Sequence, residues 1–485
     1  MVDFSKLRGP IAKSGANGLL ETFSTLDRQV SHVELRPSQQ ALFKELDHLL
    51  DRRDLVVKLN TGAGKTTTGL IYLKYMMDKY REPVVFLVPT IQLSEQVIEE
   101  GARVGINVQA WAGGEPYPPD SASRCEAVLV CTYDKFFNGR STFARSDVRL
   151  TPCAIVLDDV HSGIESVRKC FSAELPPLAR EELAELFDAS LKIVESGNWA
   201  RVQSGDPAGL LEVPHWLWAE NIDKVRGLLL KFAEEGDLRF SWAHISRSLE
   251  LARLVFSGRS ASLALDPPIV DMVGHYVGAK HRLFMSASIH DGAPLVRELG
   301  CDFSAATSPV AVRQEAAVGE RMVLVPSLAD PGFSKDQLLR VATHFLAQTN
   351  VVVLVSSEAA AKWWVDGGAI AAKAEQVSRL VLKLKSEPRG NFVVFVNRYD
   401  GVDLPDSACR ILILDGLPSG EGVVDRLDNE NAGGLVGMRG KLANKVEQGL
   451  GRAVRSNSDY CAVILAGQDL ANFVSRKVVL DNFSP

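Results

Sequence analysis

Short apolar segments rich in β-branched residues recur along the chain and constrain its fold more than any other feature. They are LVVKL (55–59), VVFLV (84–88), AVLVCT (127–132), AIVLDD (154–159), RLFMSAS (282–288), VVVLVSS (351–357), FVVFVN (392–397), ILILDG (411–416) and AVILAG (462–467). Such uninterrupted apolar runs are typical of strands buried on both faces of a parallel sheet. Helical patterns separate most of them. The sequence therefore predicts α/β domains in which helices cover parallel sheets.

The predicted strands form two clusters, one before residue 160 and one after residue 317. Between the clusters, the segment 170–275 contains helix-like patterns and no convincing buried strand, so we predict a helical insertion there. Because RLFMSAS follows this insertion and completes the first sheet, the insertion interrupts the first domain. The predicted segments are an N-terminal extension (1–31), a first domain (32–169), the insertion (170–275), the completion of the first domain (276–303), a linker (304–320) and a second domain (321–485).

The composition is that of an ordinary globular protein, because 46% of the 485 residues are hydrophobic and 24% are charged. It excludes collagen-like, coiled-coil and wholly disordered chains. Lysine and arginine number 54 against 60 acidic residues, a formal charge of −6. The total charge therefore does not indicate a nucleic-acid partner, and any such partner requires a confined basic groove.

The cysteines and apolar runs indicate the compartment. Seven cysteines occur without a CxxC pair, which argues against a disulfide framework or a structural zinc site and favours a reducing environment. No signal peptide is evident, and every apolar run is far shorter than the ~20 residues that span a bilayer. We expect a soluble, intracellular, cytoplasmic protein with no membrane partner.

The segment LNTGAGKTTTG (59–69) joins an apolar run, a glycine-containing turn and a helical pattern. Gly62 and Gly64 let backbone amides approach a phosphate group. Lys65 supplies a cation for the β- and γ-phosphates, and the hydroxyl of Thr66 can ligate Mg²⁺. This pattern predicts a nucleotide-binding P-loop, although a glycine turn before an ordinary helix is the simpler alternative.

The segment AIVLDDVHSG ends an apolar strand with two carboxylates, Asp158 and Asp159. An acid pair at a strand end is by itself most often a solvated loop. Downstream of a P-loop, the pair instead indicates that Asp158 holds Mg²⁺ together with Thr66 and that Asp159 orients the attacking water.

Six segments in this order resemble motifs I, Ia, II, III, V and VI of superfamily 2 helicases: TGAGKT, VPTIQLSEQ, LDDVH, FMSAS, NRYDGVDLPD and QGLGRAVRS. Upstream, LRPSQQALF resembles the Q-motif region. The final motif and its continuation are similar to those of the XPD/DinG-like branch, as is an insertion between motifs II and III. The resemblance covers about two thirds of the chain and implies two RecA-like P-loop domains.

The resemblance also assigns roles to individual residues. It implies an ATP site that includes Gln39, Thr61, Gly62, Ala63, Gly64, Lys65, Thr66 and Asp403. Arg452 and Arg455 would act as arginine fingers that stabilise transition-state charge, and Gln448 would line the same cleft. ATP and Mg²⁺ are the implied cofactors.

Four residues are candidates for nucleic-acid contacts. Thr90, Gln96 and Thr132 fall where such helicases grip the sugar–phosphate backbone, and Arg398 lies beside the motif V loop. Helix capping or surface solvation explains any one of these positions equally well, so both readings stay open.

The strict P-loop pattern has glycine where this chain has Leu59, but helicase P-loops commonly read xxTGxGKT, as this chain does. The sequence departs from the family in two places. Motif II usually has glutamate where this chain has Asp159. The shorter carboxylate predicts slow or compensated hydrolysis. Many XPD/DinG-like proteins hold an iron–sulfur cluster between motifs Ia and II. Here Cys125, Cys131 and Cys153 fit buried apolar positions better, so we predict no cluster.

These observations predict an ATP-dependent motor that moves on single-stranded DNA and unwinds duplex, with single-stranded or tailed duplex DNA as its partner and RNA not excluded. The alternative is a nucleic-acid-stimulated ATPase that acts as a sensor or remodelling switch in a larger repair or defence complex. A third possibility, a scaffold that binds nucleotide but hydrolyses it poorly, belongs to a different class.

Overall fold

The computed structural model describes residues 16–27, 34–59, 64–111, 113–148, 150–206, 208–286, 291–311, 320–372, 376–396, 404, 406–418, 422–431, 442, 443, 445–447, 449, 450 and 459–480. The strands within them are β1 (Asp54–Lys58), β2 (Val84–Val88), β3 (Val108–Ala110), β4 (Val128–Thr132), β5 (Ala154–Leu157), β6 (Ser172–Glu174), β7 (Leu210–Glu212), β8 (Arg253–Ser257), β9 (Ala261–Ala264), β10 (His281–Ser286), β11 (Val310–Ala311), β12 (Glu320–Leu324), β13 (Val351–Val355), β14 (Ile370–Ala371), β15 (Phe392–Val396), β16 (Ile411–Asp415) and β17 (Tyr460–Ala466).

The α-helices of the same residues are α1 (Leu19–Ser24), α2 (Pro37–Asp47), α3 (Lys65–Tyr80), α4 (Ile91–Val104), α5 (Asp120–Ser123), α6 (Tyr133–Phe137), α7 (Val160–Cys170), α8 (Pro177–Val194), α9 (Ser196–Gln203), α10 (His215–Glu220), α11 (Ile222–Lys231), α12 (Leu238–Ile245), α13 (Gly274–Val277), α14 (Ala293–Leu299), α15 (Phe303–Thr307), α16 (Pro326–Ala329), α17 (Lys335–Phe345), α18 (Glu358–Asp366), α19 (Val377–Ser386), α20 (Val423–Asn431), α21 (Gln468–Val474) and α22 (Lys477–Leu480). None of these helices combines the length and apolar character needed to cross a membrane.

The chain divides into two compact units. The N-terminal unit comprises residues 1–168 and 267–313, and the C-terminal unit comprises residues 169–266 and 314–485. The insertion thus groups with the C-terminal part of the chain, although it interrupts the N-terminal part in sequence. The domain boundaries drawn from the sequence alone stay a prediction.

The N-terminal unit contains a seven-stranded sheet in the order β11-β1-β10-β5-β2-β4-β3, and its strand pairs are parallel. The residues of β2 and β5 are fully buried, as their uninterrupted apolar sequences predict. Strand β10 lies between β1 and β5, which confirms that RLFMSAS completes the first sheet across the insertion.

A buried ion pair joins the first residues of β1 to β10. The guanidinium of Arg282 donates to both carboxylate oxygens of Asp54, at 2.6 and 2.5 Å, and also to the carbonyl of Gly300 at 2.8 Å. The backbone amide of Asp302 donates to the same carboxylate at 2.8 Å. Asp54 and Arg282 are opposite one another in the register of β1 and β10, so the buried, hydrogen-bonded pair joins the two strands at the edge opposite the P-loop.

The C-terminal unit contains a six-stranded parallel sheet in the order β12-β17-β16-β13-β15-β14. Separate apolar clusters pack on its two faces, one around Leu412 and Val463 and the other around Val353 and Trp364. The nine strands predicted from the sequence are all present, and the prediction of parallel α/β sheets is confirmed.

The insertion is not purely helical, which corrects the sequence-based expectation. Strands β6, β9, β8 and β7 form a four-stranded antiparallel sheet within it. The segment HISRSLELARLVFSG (244–258) has one of the helix-like patterns of the predicted insertion, but its last part is strand β8. A short apolar run fits a helix or a strand equally well, and here pairing with β7 and β9 decides between them.

The predicted linker 304–320 begins later than expected. Helix α15 and strand β11 occupy its first part, and β11 pairs with β1 as an edge strand of the first sheet. Such a short strand carries too little apolar pattern to be detected from sequence.

Candidate nucleotide site and nucleic-acid interface

The P-loop joins β1 to α3. Gly64 is the residue before α3 and has a left-handed backbone (φ 84°), and its carbonyl accepts a hydrogen bond from the amide of Thr68 at 3.0 Å. Lys65 and Thr66 form the first turn of α3, where unpaired amides and the helix dipole favour an anion. This geometry suits a bound phosphate group, with Lys65 as its cation and Thr66 as a magnesium ligand.

Gln39 lies beside the P-loop. It is buried in α2, and its side-chain amide donates to the carbonyl of Gly64 at 3.3 Å, while its oxygen accepts from the amide of Arg36 at 3.0 Å. A Cβ atom on Gly64 would lie 2.2 Å from the Gln39 nitrogen, so this close approach requires glycine. The contact ties α2 to the phosphate loop, and the adenine-binding role of Gln39 stays a prediction.

Asp158 follows β5 at the same edge of the sheet. Burial raises the pKa of its carboxyl to about 6, while the nearby charge of Lys65 acts in the opposite direction. The backbone amide of Asp159 donates to one oxygen of Asp158 at 3.0 Å. A buried carboxylate next to the P-loop lysine is a suitable ligand for Mg²⁺, which prefers oxygen donors. The described residues therefore fit a magnesium nucleotide held by Thr66 and Asp158.

Asp159 has an unusual backbone conformation. Its φ is 45°, in the left-handed region, which costs a residue other than glycine about 1–2 kcal/mol. Its carboxylate accepts a hydrogen bond from the hydroxyl of Ser162 at 3.2 Å. The shorter carboxylate at this position is thus carried by a backbone in the left-handed region.

The sheet order arranges the candidate residues in a row. The P-loop follows β1, Ser286 ends β10 and Asp158 follows β5, and these are three adjacent strands. The next two strands, β2 and β4, lead to Thr90 and Thr132, and Val88 pairs with Thr132. Because parallel strands end at one edge, the nucleotide residues and the candidate nucleic-acid contacts share the carboxyl edge of one sheet.

Thr90 and Thr132 both cap helices. The Thr90 hydroxyl accepts from the amide of Leu93 at 3.3 Å, and the Thr132 hydroxyl accepts from the amide of Lys135 at 3.3 Å. Capping uses each hydroxyl as an acceptor and leaves its proton for donation to a phosphate. The capping alternative therefore applies to both residues, and their nucleic-acid role stays a prediction. Gln96 is half-buried on α4.

Several predicted site residues lie outside the described residues: Thr61, Gly62, Ala63, Arg398, Asp403, Gln448, Arg452 and Arg455. Their roles stay predictions.

Two residues at the site were not identified from the sequence. Tyr133, directly after Thr132, donates its hydroxyl to the backbone carbonyl of Asp158 at 2.8 Å. Burial raises the pKa of Tyr133 well above its ordinary value, so the phenol stays a proton donor. Ser162 is the second. Its position three residues after Asp159, in the first turn of a helix, was a usable signal.

The cysteines between motifs Ia and II differ from one another. Cys131 and Cys153 are buried, which confirms their interpretation as apolar core residues, while Cys125 is partly exposed. Burial raises the pKa of both Cys131 and Cys153 to about 12.

Two family models match the chain. The model described as Type III restriction enzyme, res subunit, matches residues 32–193, and the model described as Helicase C-terminal domain matches residues 348–483. Together the two matched segments make up more than half of the chain. No curated protein matches the sequence.

The chain is also similar in fold to solved helicase structures. It superposes on the structures named XPD_APO and XPD_Helicase with a TM-score of 0.57 and 14% identity in each case. The alignments cover 91% and 93% of this chain and 98% of either structure. For Xpd4 of S. tokodaii the TM-score is 0.54 at 15% identity, over 91% of this chain and 97% of that one. Two family models thus match in the order expected of a superfamily 2 helicase, one of them a helicase C-terminal domain, on a fold similar to that of the XPD structures.

Proposed function

We propose that this helicase couples ATP hydrolysis to movement on single-stranded DNA and separates duplex strands. The observation that carries the proposal is the row of strand ends in the N-terminal unit. Of three adjacent strands, β1 and β5 lead to the nucleotide residues and β10 between them ends at Ser286 of motif III, while the next two strands lead to Thr90 and Thr132. Since a RecA-like sheet binds ligands at its carboxyl edge, a phosphate change at Lys65 and a strand held at Thr132 act on the same edge of one sheet, four strand spacings or roughly 19 Å apart.

Each described site residue has a defined task in this proposal. Lys65 and the first-turn amides of α3 bind the phosphates, and Thr66 and Asp158 hold Mg²⁺. A metal ion held by these two residues would supply positive charge to offset that of the phosphate oxygens. Asp159, oriented by its backbone and by Ser162, accepts a hydrogen bond from the attacking water. Gln39 keeps α2 against the phosphate loop.

The remaining assignments are carried over from the family. We propose Arg452 and Arg455 as arginine fingers, Gln448 as a cleft residue and Asp403 as the residue that couples nucleotide state to nucleic-acid binding. We propose that Arg398 and Gln96 each contact the sugar–phosphate backbone of the nucleic acid. From the same resemblance, we propose DNA in preference to RNA as the nucleic acid and 5′ to 3′ as the direction of movement along it.

One observation favours a second function, a nucleic-acid-stimulated ATPase that acts as a switch in a larger complex. Asp159 combines a carboxylate one methylene shorter than the usual glutamate with a left-handed backbone. Hydrolysis is sensitive to errors of about a bond length in the position of such a group. A slow, stimulated ATPase suits a switch better than a processive motor.

ATP turnover with and without single-stranded DNA tests the proposal. We expect DNA to stimulate the wild-type protein and Lys65→Ala to abolish turnover. The matched control is Lys74→Ala on the same helix, since Lys74 pairs with Asp78 at 2.5 Å and not with the phosphate loop. Turnover that persists in Lys65→Ala, or that is lost equally in both variants, would contradict the P-loop assignment. A wild-type protein that does not turn over ATP would instead contradict ATP-driven movement and favour a scaffold that only binds nucleotide.

Strand displacement on duplexes with a 5′ or a 3′ tail then separates the two functions. Displacement that depends on ATP and on a 5′ tail supports the motor. Stimulated turnover without displacement supports the switch. The same assay with an RNA strand of equal sequence decides between DNA and RNA.

A further inference from the structure

Tyr133 contacts the segment that follows β5, which contains the proposed magnesium ligand Asp158. It is the first residue of α6, follows Thr132 directly and is fully buried. Its hydroxyl donates to the backbone carbonyl of Asp158 at 2.8 Å, across 25 residues of sequence. A buried carbonyl without a hydrogen-bond partner destabilises the fold by roughly 1–3 kcal/mol, so this hydrogen bond stabilises the position of the Asp158 carbonyl.

The carbonyl of Asp158 belongs to the peptide that joins Asp158 to Asp159. The orientation of this peptide plane sets φ of Asp159, which is 45°. A left-handed aspartate persists only where the surroundings hold it there. The Tyr133 hydroxyl, bound to the plane itself, is positioned to hold it.

Gly163 on α7 makes room for this contact. A Cβ atom at Gly163 would lie 2.4 Å from Cζ of Tyr133 and 2.7 Å from its hydroxyl oxygen. The ring also stacks on Phe137, with centroids 6.3 Å apart. Because the ring is fully buried, it cannot swing aside to accommodate a larger residue at 163.

We propose that Tyr133 is a positioning residue that holds the Asp158–Asp159 peptide in the geometry for hydrolysis and links it to the strand contact at Thr132. The inference rests on the proposed function. Thr132 caps the same five-residue helix that begins with Tyr133, so a phosphate bound by the Thr132 hydroxyl acts one residue from the phenol. Coupling between the sites is reciprocal, so ATP-site geometry also alters the affinity for the strand.

The test replaces Tyr133 by phenylalanine, which removes only the hydroxyl. We expect kcat in the presence of single-stranded DNA to fall about tenfold, as the loss of one hydrogen bond and its hold on a strained backbone implies, with KM for ATP changed less than twofold. DNA stimulation of turnover should also fall. The matched control is Tyr72→Phe, because the Tyr72 hydroxyl is buried and makes no hydrogen bond within the described residues. This control should leave kcat and the DNA stimulation of turnover unchanged.

Gly163→Ala tests the same contact from the other side. It keeps the hydroxyl, but its Cβ atom overlaps the buried ring and strains the contact with the Asp158 carbonyl. We expect kcat to fall and thermal stability to decrease, because overpacking costs about 1–3 kcal/mol and outweighs the helix preference of alanine, which is about 1 kcal/mol. Gly227→Ala is its control, since a Cβ atom there meets nothing within 4 Å.

The outcomes separate this inference from the proposed function. If the wild type turns over ATP and Lys65→Ala does not, but Tyr133→Phe keeps kcat and DNA stimulation within twofold, the role of Tyr133 is overturned alone. The role is also overturned if the fall in kcat of Tyr133→Phe equals the fraction of unfolded protein and the basal and DNA-stimulated rates fall by the same factor. Absent wild-type turnover overturns the proposed function and this inference with it.

Discussion

Arg253 of the insertion and Asp428 of α20 form a two-point ion pair, although 175 residues separate them. The guanidinium nitrogens lie 3.1 and 2.7 Å from the two carboxylate oxygens. The same guanidinium binds Glu212 at 2.9 and 2.8 Å, and hydrogen bonds to Glu212 and Asp428 raise the pKa of Arg253. An apolar cluster of Leu210, Val255, Ala264, Val424 and Leu427 also joins the insertion to α20. The insertion and α20 therefore belong to one compact unit.

Replacing Arg253 by methionine should loosen the insertion. The carboxylates of Glu212, Asp266 and Asp428 would then face one another without their shared cation. Because Arg253 is only partly exposed, we expect the free energy of unfolding of this unit to fall by roughly 2 kcal/mol. Thermal unfolding and protease cleavage within residues 169–266 measure the effect.

The control is Arg201→Met, which breaks the exposed pair with Asp206 at 2.8 Å. An exposed pair contributes between about 0 and 1 kcal/mol, so this variant should resemble the wild type. Equal melting temperatures for the two variants would contradict the structural role of Arg253.

Asp158→Asn should stabilise the nucleotide-free protein at neutral pH while abolishing hydrolysis. Burial raises the pKa of Asp158 from 3.8 to about 6, so the folded state binds this proton more tightly than the unfolded state. The stabilisation that the neutral carboxyl contributes is complete below pH 3.8 and is lost as the pH rises through about 6. Asparagine avoids that loss, which amounts to roughly 3 kcal/mol.

Denaturant unfolding of both proteins without Mg²⁺ or nucleotide, at pH 4.5 and pH 7.5, checks this prediction. The stability difference between variant and wild type should grow with pH. A difference that is independent of pH would show that Asp158 is not strained by burial. The result would identify Asp158 as a residue retained for its chemistry at the expense of stability.

Thr132→Asp should separate helix capping from nucleic-acid binding. Aspartate is at least as good a capping residue as threonine, so the stability of the protein should be unchanged. A carboxylate next to a backbone phosphate is repelled, and we expect affinity for single-stranded DNA to fall about tenfold, or 1.4 kcal/mol. Fluorescence anisotropy with a labelled oligonucleotide measures it.

Ser334→Asp is the matched control, since Ser334 caps α17 by accepting from the amide of Gln337 at 3.2 Å. It should bind DNA like the wild type. Wild-type affinity in Thr132→Asp would leave capping as the only role of Thr132. The same substitution at Thr90, which caps α4, tests the neighbouring strand end.

Thiol labelling should distinguish Cys125 from its neighbours. Cys131 and Cys153 are buried and their pKa values are raised to about 12, so they stay protonated and unreactive in the folded protein at pH 8. Cys125 is partly exposed and should react first with iodoacetamide, as mass spectrometry would show. Iron and acid-labile sulfide in the purified protein would contradict the prediction that no cluster is bound.

The sequence was sufficient where one local pattern decides the outcome. Strands such as β2 and β13 are uninterrupted apolar runs, and only burial on both faces of a parallel sheet accommodates them. Asp158 could be located because a strand end delivers its next residue to the carboxyl edge. Strand β8 could not be predicted in this way, because a run of five residues beside helical patterns is too short to show a strand periodicity.

By itself, then, the sequence determined nine strands of the two parallel sheets and their order along the chain, the phosphate loop and the acid pair, because neighbouring residues encode each of these features. The tertiary structure alone decided which distant residues meet. The hydroxyl of Tyr133 reaches the Asp158 carbonyl, and Arg253 binds Asp428, only because the packed sheets bring them within hydrogen-bond distance. A hydrogen bond between side chains far apart in sequence depends on the position of both elements, and no local pattern encodes that position.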